Sequence, residues 1–238
     1  MEVDILAIGV HPDDVELSCS GTLLEQIENG YSVGLVDLTQ GELGTRGTPE
    51  IRMKEAQDAA ALMGAEFRVN LNMKDGLFSI TEENLIKVIE VIRTYRPKIV
   101  LANAIQDRHP DHGRAAQLVH QACFLSGLRK IKTSKDGEVQ EAWRPKNVYH
   151  YIQDRALEPD FVYDISNVID MKMEVIKAFK SQFYDPDSKE PSSPISGKDF
   201  MEFIIAKARD FGREAGFQYA EGFTTYKKIG VQDLFDIR

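Results

Sequence analysis

The chain has 238 residues, a formal net charge of −9, and 42% hydrophobic and 28% charged residues, enough for one sizeable globular α/β unit. The acidic balance argues against nucleic acid as a partner, because a phosphate backbone is met by clustered Lys and Arg. No apolar run is long enough to span a bilayer, and the start Met1-Glu2-Val3-Asp4 leads straight into a strand and does not read as a signal peptide. The expectation is therefore a cytoplasmic protein with no membrane partner. Cys19 and Cys123, far apart in helix-like segments, read as small buried hydrophobes in a reducing compartment.

In chain order, strand-length apolar runs alternate with amphipathic segments. Strands are expected at Ile5–Val10, Val33–Leu38, Phe67–Leu71 and Ile99–Ala102, with helices at Val15–Glu28, Pro49–Met63 and Thr81–Tyr95 between them. The first and fourth strands are almost continuously apolar, as strands covered on both faces are. Thr48 before Pro49 suits an N-cap followed by proline in the first turn, and Ser79 with Glu82 fits a capping box. Gly30 and Gly64 follow helix ends, where a left-handed residue is wanted.

The second half is less regular. Ala115–Leu125 reads as a helix, Val148–Ile152 and Phe161–Ile165 as strands, and Ile169–Phe183 as an amphipathic helix. Tyr184–Gly197 carries Pro186, Pro191 and Pro194 and reads as an irregular loop. Phe200–Phe211 is expected to be helical, and Ala220–Val231 to close the domain. The fold class implied is α/β: a Rossmann-like, doubly wound, mostly parallel sheet flanked by helices, with a less regular C-terminal part. One domain over residues 1–238 is expected, its core in about the first 130 residues.

Two short runs carry the chemistry: His11-Pro12-Asp13-Asp14 after the first strand and His109-Pro110-Asp111-His112 after the fourth. A lone His-Pro-Asp is an ordinary turn whose Asp caps the next helix. Two such runs at strand ends point instead to a shared site, since doubly wound sheets bind ligands outside the carboxyl ends of their strands, where strand order reverses. That reversal commonly makes the first and fourth strands neighbours, which would bring the runs together.

Catalytic zinc takes about three protein ligands and leaves a position for water. His11, Asp13, Asp14 and His112 are the candidate ligands, and one carboxylate should stay off the metal as a base for the water. Spacing favours His11 and Asp14 as ligands, because residues three apart at a helix start share a face, and Asp13 then points toward the water. His109 is placed to polarise a carbonyl or protonate a departing amine, with Asp111 orienting an imidazole from behind. Two nitrogens and a carboxylate also suit Fe(II), Co(II) or Mn(II). His120 and His150 lie on a helix and in a strand, where packing or surface roles are the simpler reading.

Together with Val15-Glu16 after the first run, these motifs resemble the zinc-dependent deacetylases of the PIG-L/LmbE family. Thr39–Gly47 resembles that family's glycine-rich loop, Arg52, Glu55, Ala59, Ala60 and Gly64 match its next segment, and Tyr219–Phe223 resembles its C-terminal signature. The resemblance implies that His11, Asp14 and His112 bind zinc, that Asp13 is the general base, and that His109, tuned by Asp111, assists as a charged or proton-donating group. It further implies that Arg52 holds sugar hydroxyls and that Asp75, before Gly76, is a polar substrate contact. Tyr184 is a candidate loop residue reaching the sugar.

The implied reaction removes an N-acetyl group from a glucosamine conjugate. Length and overall pattern resemble the branch acting on N-acetylglucosaminyl-L-malate in bacillithiol biosynthesis. Alternatives are a deacetylase of N-acetylglucosamine or chitin oligosaccharides and, more distantly, a non-catalytic metal-binding module. The resemblance also implies a homo-oligomer, trimeric or hexameric. The glycine-rich loop lacks a Gly-Lys-Ser/Thr ending, so a nucleotide is not expected.

Overall fold

The computed structural model describes residues 1–236. In chain order its elements are β1 (Ile5–Gly9), α1 (Asp14–Glu28), β2 (Val33–Thr39), α2 (Pro49–Met63), β3 (Phe67–Met73), α3 (Glu82–Tyr95) and β4 (Ile99–Ala102). They continue with α4 (Pro110–Leu125), the two-residue strands β5 (Ser134–Lys135) and β6 (Glu138–Val139), β7 (Asn147–Tyr151), β8 (Phe161–Asp164), α5 (Ile169–Lys177), α6 (Lys198–Ala215) and β9 (Ala220–Thr224). No helix among the described residues is long and apolar enough to cross a membrane.

The main sheet has seven strands in the order β3-β2-β1-β4-β7-β9-β8. β1 pairs in parallel with both β2 and β4, and β4 in parallel with β7. Strand order therefore reverses at β1, with β4 on its other side. β9 runs antiparallel to both β7 and β8, so the sheet is mixed at one edge.

Alternation along the strands feeds two cores. Ile5 and Ala7 join one with Val33, Leu35 and residues of α1, α2, α5 and α6, while Leu6 and Ile8 join the other with Val36, Leu38 and residues of α3 and α4. Side chains of period two thus point to opposite faces, and helices cover both.

Local chemistry sets most boundaries. The Thr48 hydroxyl accepts from Ile51 N–H at the start of α2, and Gly64 ends that helix at φ 85°. α3 is capped by Thr81, which accepts from Asn84 N–H; the expected Ser79–Glu82 box does not form, because the helix starts at Glu82 with Thr81 as its N-cap and leaves Ser79 outside. α4 begins at Pro110, five residues before the expected Ala115, with His109 as its N-cap. Proline is well suited to that first turn, and the polar stretch behind it carries no apolar periodicity. The expected helix Ile169–Phe183 stops at Lys177. Further on, Ser181 N–H and hydroxyl go to the Glu55 carboxylate, and the Ser181 carbonyl takes Arg46 Nε, so its backbone is bonded outside any helix. Of Ala220–Val231, residues up to Thr224 form a strand. The β5–β6 hairpin, turning at Asp136 and Gly137 with φ 53° and 85°, was not anticipated.

Candidate metal centre

The reversal of strand order carries the two histidine runs to one place. His11 leaves β1 and His109 follows β4, and their rings lie 4.7 Å apart between centroids; His11 and His112 are at 5.6 Å. The spacing argument for His11 and Asp14 needs one correction. α1 starts only at Asp14, so His11 shares no helix face with it. A tight turn joins them instead, with Val10 N–H and His11 N–H both donating to Asp14 Oδ2 at 3.0 and 2.9 Å. Between them Asp13 is held at φ 132°, ψ −20°, which is rare for a residue with a Cβ and typical of strained functional positions.

Asp14 lies between the two imidazoles. Its Oδ2 is 3.7 Å from His11 Nδ1 and its Oδ1 is 3.2 Å from His112 Nε2. Because it offers one oxygen to each ring, it does not bring a single atom close to both. The donor sets whose atoms all lie within 4.8 Å are His11, His109 and His112, and His11, Asp75 and Asp111. The expected set of His11, Asp14 and His112 is thus assembled pairwise, with His109 near enough to join the histidines.

Two amides that the sequence reading missed hold Asp14 in place. Asn103 Nδ2 donates to its Oδ2 at 2.9 Å and Gln153 Nε2 to its Oδ1 at 3.0 Å, while Gln153 Oε1 accepts from Asn103 Nδ2 and Ala104 N–H. Asp107, also missed, receives His112 Nδ1 at 2.5 Å, the partner that fixes a ligand imidazole's tautomer. Asp111, expected to orient an imidazole and tune His109, sets its Oδ2 3.7 Å from His11 Nε2, where it also accepts from Gly76 N–H, and gives its Oδ1 to Arg114; toward His109 its own N–H donates to Nδ1 at 3.3 Å. Asp107 stands two residues before His109, which is a signal, but Asn103 and Gln153 are isolated amides without a pattern.

The other expected residues divide. Asp75 Oδ1 is 3.0 Å from His11 Nε2, and its Oδ2 accepts from Leu43 N–H. Arg52 lines the cavity but is buried, and its guanidinium is engaged with Gly41 O, Pro12 O and Asp13 Oδ2, the last at 3.1 Å. A Cβ at Gly41, whose φ is 65°, would stand 2.0 Å from Arg52 Nη1, so the glycine is what lets the arginine in. Tyr184 is 46% exposed and is not among the cavity-lining residues; the same segment reaches the cavity through Ser193, Pro194 and Ile195.

The cluster opens into a cavity of about 360 Å³, lined by His11, Asp13, Asp14, His109 and His112 on one side and by α6 on another. Burial works against protonation of His11, but Asp111, Asp14 and Asp75 outweigh it and hold its pKa well above the ordinary value. His112, likewise opposed by burial, is raised to about 9 by Asp14 and Asp107. His109 shifts down through burial and the two neighbouring imidazoles. Burial pushes Asp13 up to about 7 against the pull of Arg52. Buried carboxylates around the rings thus attract positive charge, and the donor set of imidazoles and carboxylates suits a divalent metal, whose binding would displace those protons.

Fold and cluster define an α/β protein with a carboxylate–imidazole centre at the strand ends of a mostly parallel sheet. Comparison with known proteins narrows that class. The PIG-L sequence family, described as GlcNAc-PI de-N-acetylase, matches residues 6–123. Similar proteins include a diacetylchitobiose deacetylase of Thermococcus kodakarensis, 27% identical over 92% of this chain and 81% of that one. Another is described as a probable N-acetyl-α-D-glucosaminyl L-malate deacetylase 2 of Bacillus cereus, 26% identical over 76% of this chain and 84% of the relative. The crystal structure of a conserved protein from Thermus thermophilus, TT1542, superposes with a TM-score of 0.84 at 35% identity, covering 97% of this chain and 98% of that one. The chain belongs to the PIG-L family of metal-dependent deacetylases.

Proposed function

We propose that the protein hydrolyses the N-acetyl group of a glucosamine conjugate with a divalent metal, zinc by preference and Fe(II), Co(II) or Mn(II) as alternatives, held by His11, Asp14 and His112. One observation carries this reading: Asp13, a second carboxylate bonded to Arg52, faces the same cavity as the imidazole–Asp14 cluster. A purely structural metal site has no use for such a group and usually closes with a fourth protein ligand. The bound metal supplies Lewis-acid polarisation of the acetyl carbonyl and acidifies water.

The remaining chemistry falls to the chain. Asp13 takes a proton from water as its oxygen adds to the acetyl carbon, and Arg52 holds the carboxylate in position for that step. The C–N bond then breaks, acetate leaves, and the sugar nitrogen receives a proton from Asp13 or His109. Asp75, by its bond to His11, and Asp111 set the orientation of that ring. Direct contact of Arg52, Asp75 or Tyr184 with the sugar remains part of the proposal.

For the rest of the substrate, the expected malate conjugate has the support of the Bacillus cereus relative. A chitobiose-type substrate is favoured by the greater share of the chain aligned with the Thermococcus kodakarensis enzyme. The same reading takes residues 1–238 as one catalytic unit, cytoplasmic and homo-oligomeric. The test is acetate release from N-acetylglucosaminyl-L-malate, N,N'-diacetylchitobiose and N-acetylglucosamine by metal-analysed protein with and without chelator. Chelator-sensitive turnover of any one supports the reading; metal-loaded protein that turns over none sinks it.

A further inference from the structure

One wall of the cavity does nothing in the chemistry just described. Phe200, Phe203, Ile204 and Lys207 follow at i, i+3, i+4 and i+7 on α6, and all four line the cavity. They give it an apolar strip that ends in an ammonium group.

The other cations of the cavity are already engaged. Arg52 binds Asp13, Arg108 binds Asp154, and Arg46 directs Nε, Nη1 and Nη2 at Ser181 O, Pro191 O and Ser188 Oγ. Lys207 Nζ donates to the carbonyls of Gln153 and Ile152, the latter at 3.4 Å. Among the described residues no carboxylate lies within the 4.0 Å of an ion pair. Three donors serve two carbonyls, and one N–H is left for something else.

Glu221, Asp154 and Asp107 attract the ammonium only from beyond ion-pair distance, and a partly enclosed ammonium with no carboxylate against it is costly unless a ligand supplies the charge. Burial accordingly draws the Lys207 pKa down to about 8, which leaves the group mostly protonated near neutrality. The Phe203 ring, 5.8 Å from Nζ, adds a weak attraction for the cation but no negative charge.

We propose that Lys207, at the end of the apolar strip of α6, forms a subsite for an anionic group, a carboxylate or phosphate, carried by the substrate beyond its acetylated sugar. The proposal rests on the deacetylase reading and sharpens it by excluding an uncharged disaccharide as the preferred substrate. The carbonyls of Ile152 and Gln153 fix the ammonium, the apolar strip packs against the linking carbons, and the free N–H donates to the anion.

The test compares kcat/KM for N-acetylglucosaminyl-L-malate and N-acetylglucosamine 1-phosphate with that for neutral N,N'-diacetylchitobiose, in wild type, Lys207→Met, Lys207→Arg and Lys207→Glu. In Lys207→Met the anionic-to-neutral ratio falls by about ten- to a hundredfold, the span of one charge-assisted hydrogen bond, chiefly through KM. Lys207→Arg keeps most of the ratio and Lys207→Glu lowers it further; the more affected anion identifies carboxylate or phosphate. Equal losses on all three substrates would overturn the proposal and make Lys207 a brace for Gln153. If wild type hydrolyses none of them the deacetylase reading fails, and calorimetric binding of the same compounds decides about Lys207. Binding of an anionic compound that Lys207→Met loses supports the subsite, whereas no binding, or equal binding by both proteins, overturns it.

Discussion

His11 and His109 enter the cavity from the ends of buried parallel strands, whereas Gln153, Ser193 and Lys207 enter it from loops and a helix beside the antiparallel edge. Behind the first group lies a buried ion network: Arg68 binds Asp37 at 2.8 and 2.7 Å and Glu16 at 2.5 Å, tying α1, β2 and β3 together with no exposed charge. Behind the second lies one buried ion pair, Lys172–Glu221, and the groups nearer the cavity are held by amide and ring hydrogen bonds, the Gln153 amide on Asp14 and Asn103 and the His150 ring on Asn103 O. The reacting groups sit on the parallel half of the sheet. The groups that trim metal retention and select substrate sit on the half that ends in antiparallel strands.

Substitutions on the parallel side have the larger effects. Asp13→Asn lowers kcat by about 10²- to 10⁴-fold, the worth of a general base, while metal content and melting temperature stay at wild-type values. A drop of less than tenfold in steady-state kinetics would remove Asp13 from the chemistry. Arg68→Met leaves two buried carboxylates facing each other and costs about 3–5 kcal/mol in urea unfolding. A loss below about 1 kcal/mol, the value of a surface ion pair, would end the distinction between the halves.

The other side responds more mildly. Burial lowers the His150 pKa to about 4, below the 6.5 of the unfolded chain. The unfolded state therefore takes up a proton that the native state refuses, so stability is complete above pH 6.5 and falls as pH drops toward 4. Wild type loses about 2 kcal/mol from this group between pH 7 and 5, a slope that His150→Asn flattens in denaturant titrations at both pH values. Parallel slopes in the two proteins would show that the ring carries no such penalty. Gln153→Leu weakens metal binding by about ten- to a hundredfold in chelator competition without unfolding the protein. Unchanged affinity would mean that Asn103 and the backbone suffice to hold Asp14.

The same division governs what could be read from the residues alone. β1 and β4 are apolar throughout, Thr48-Pro49 and Gly64 mark both ends of α2, and two copies of His-Pro-Asp flag the site before any fold is known. These signals are local, because buried strands and helix caps act over a few residues. Gln153, Asn103 and Lys207 matter through partners 50, 89 and 54 residues away, and neither an amide nor a lysine announces such a partner. Ile169–Phe183 misled for a related reason: its apolar period continues to Phe179 and Phe183, both buried, while Glu55 takes the backbone N–H of Ser181 from across the fold. The resemblance places Arg52 in the site, but nothing in the sequence shows that Gly41 clears its path to Asp13.

β9 is the last strand of the sheet to leave the ribosome, yet it lies between β7 and β8. Until residues 220–224 emerge, β8 has no strand to pair with. Glu221 of β9 then accepts from Gly21 N–H, Thr22 N–H and Lys172 Nζ at 3.0, 2.7 and 2.7 Å, clasping the helix that begins with Asp14. Synthesis and assembly are thereby put in order: a nascent chain stopped short of this strand carries both histidine runs but cannot lock the helix that aims one of them.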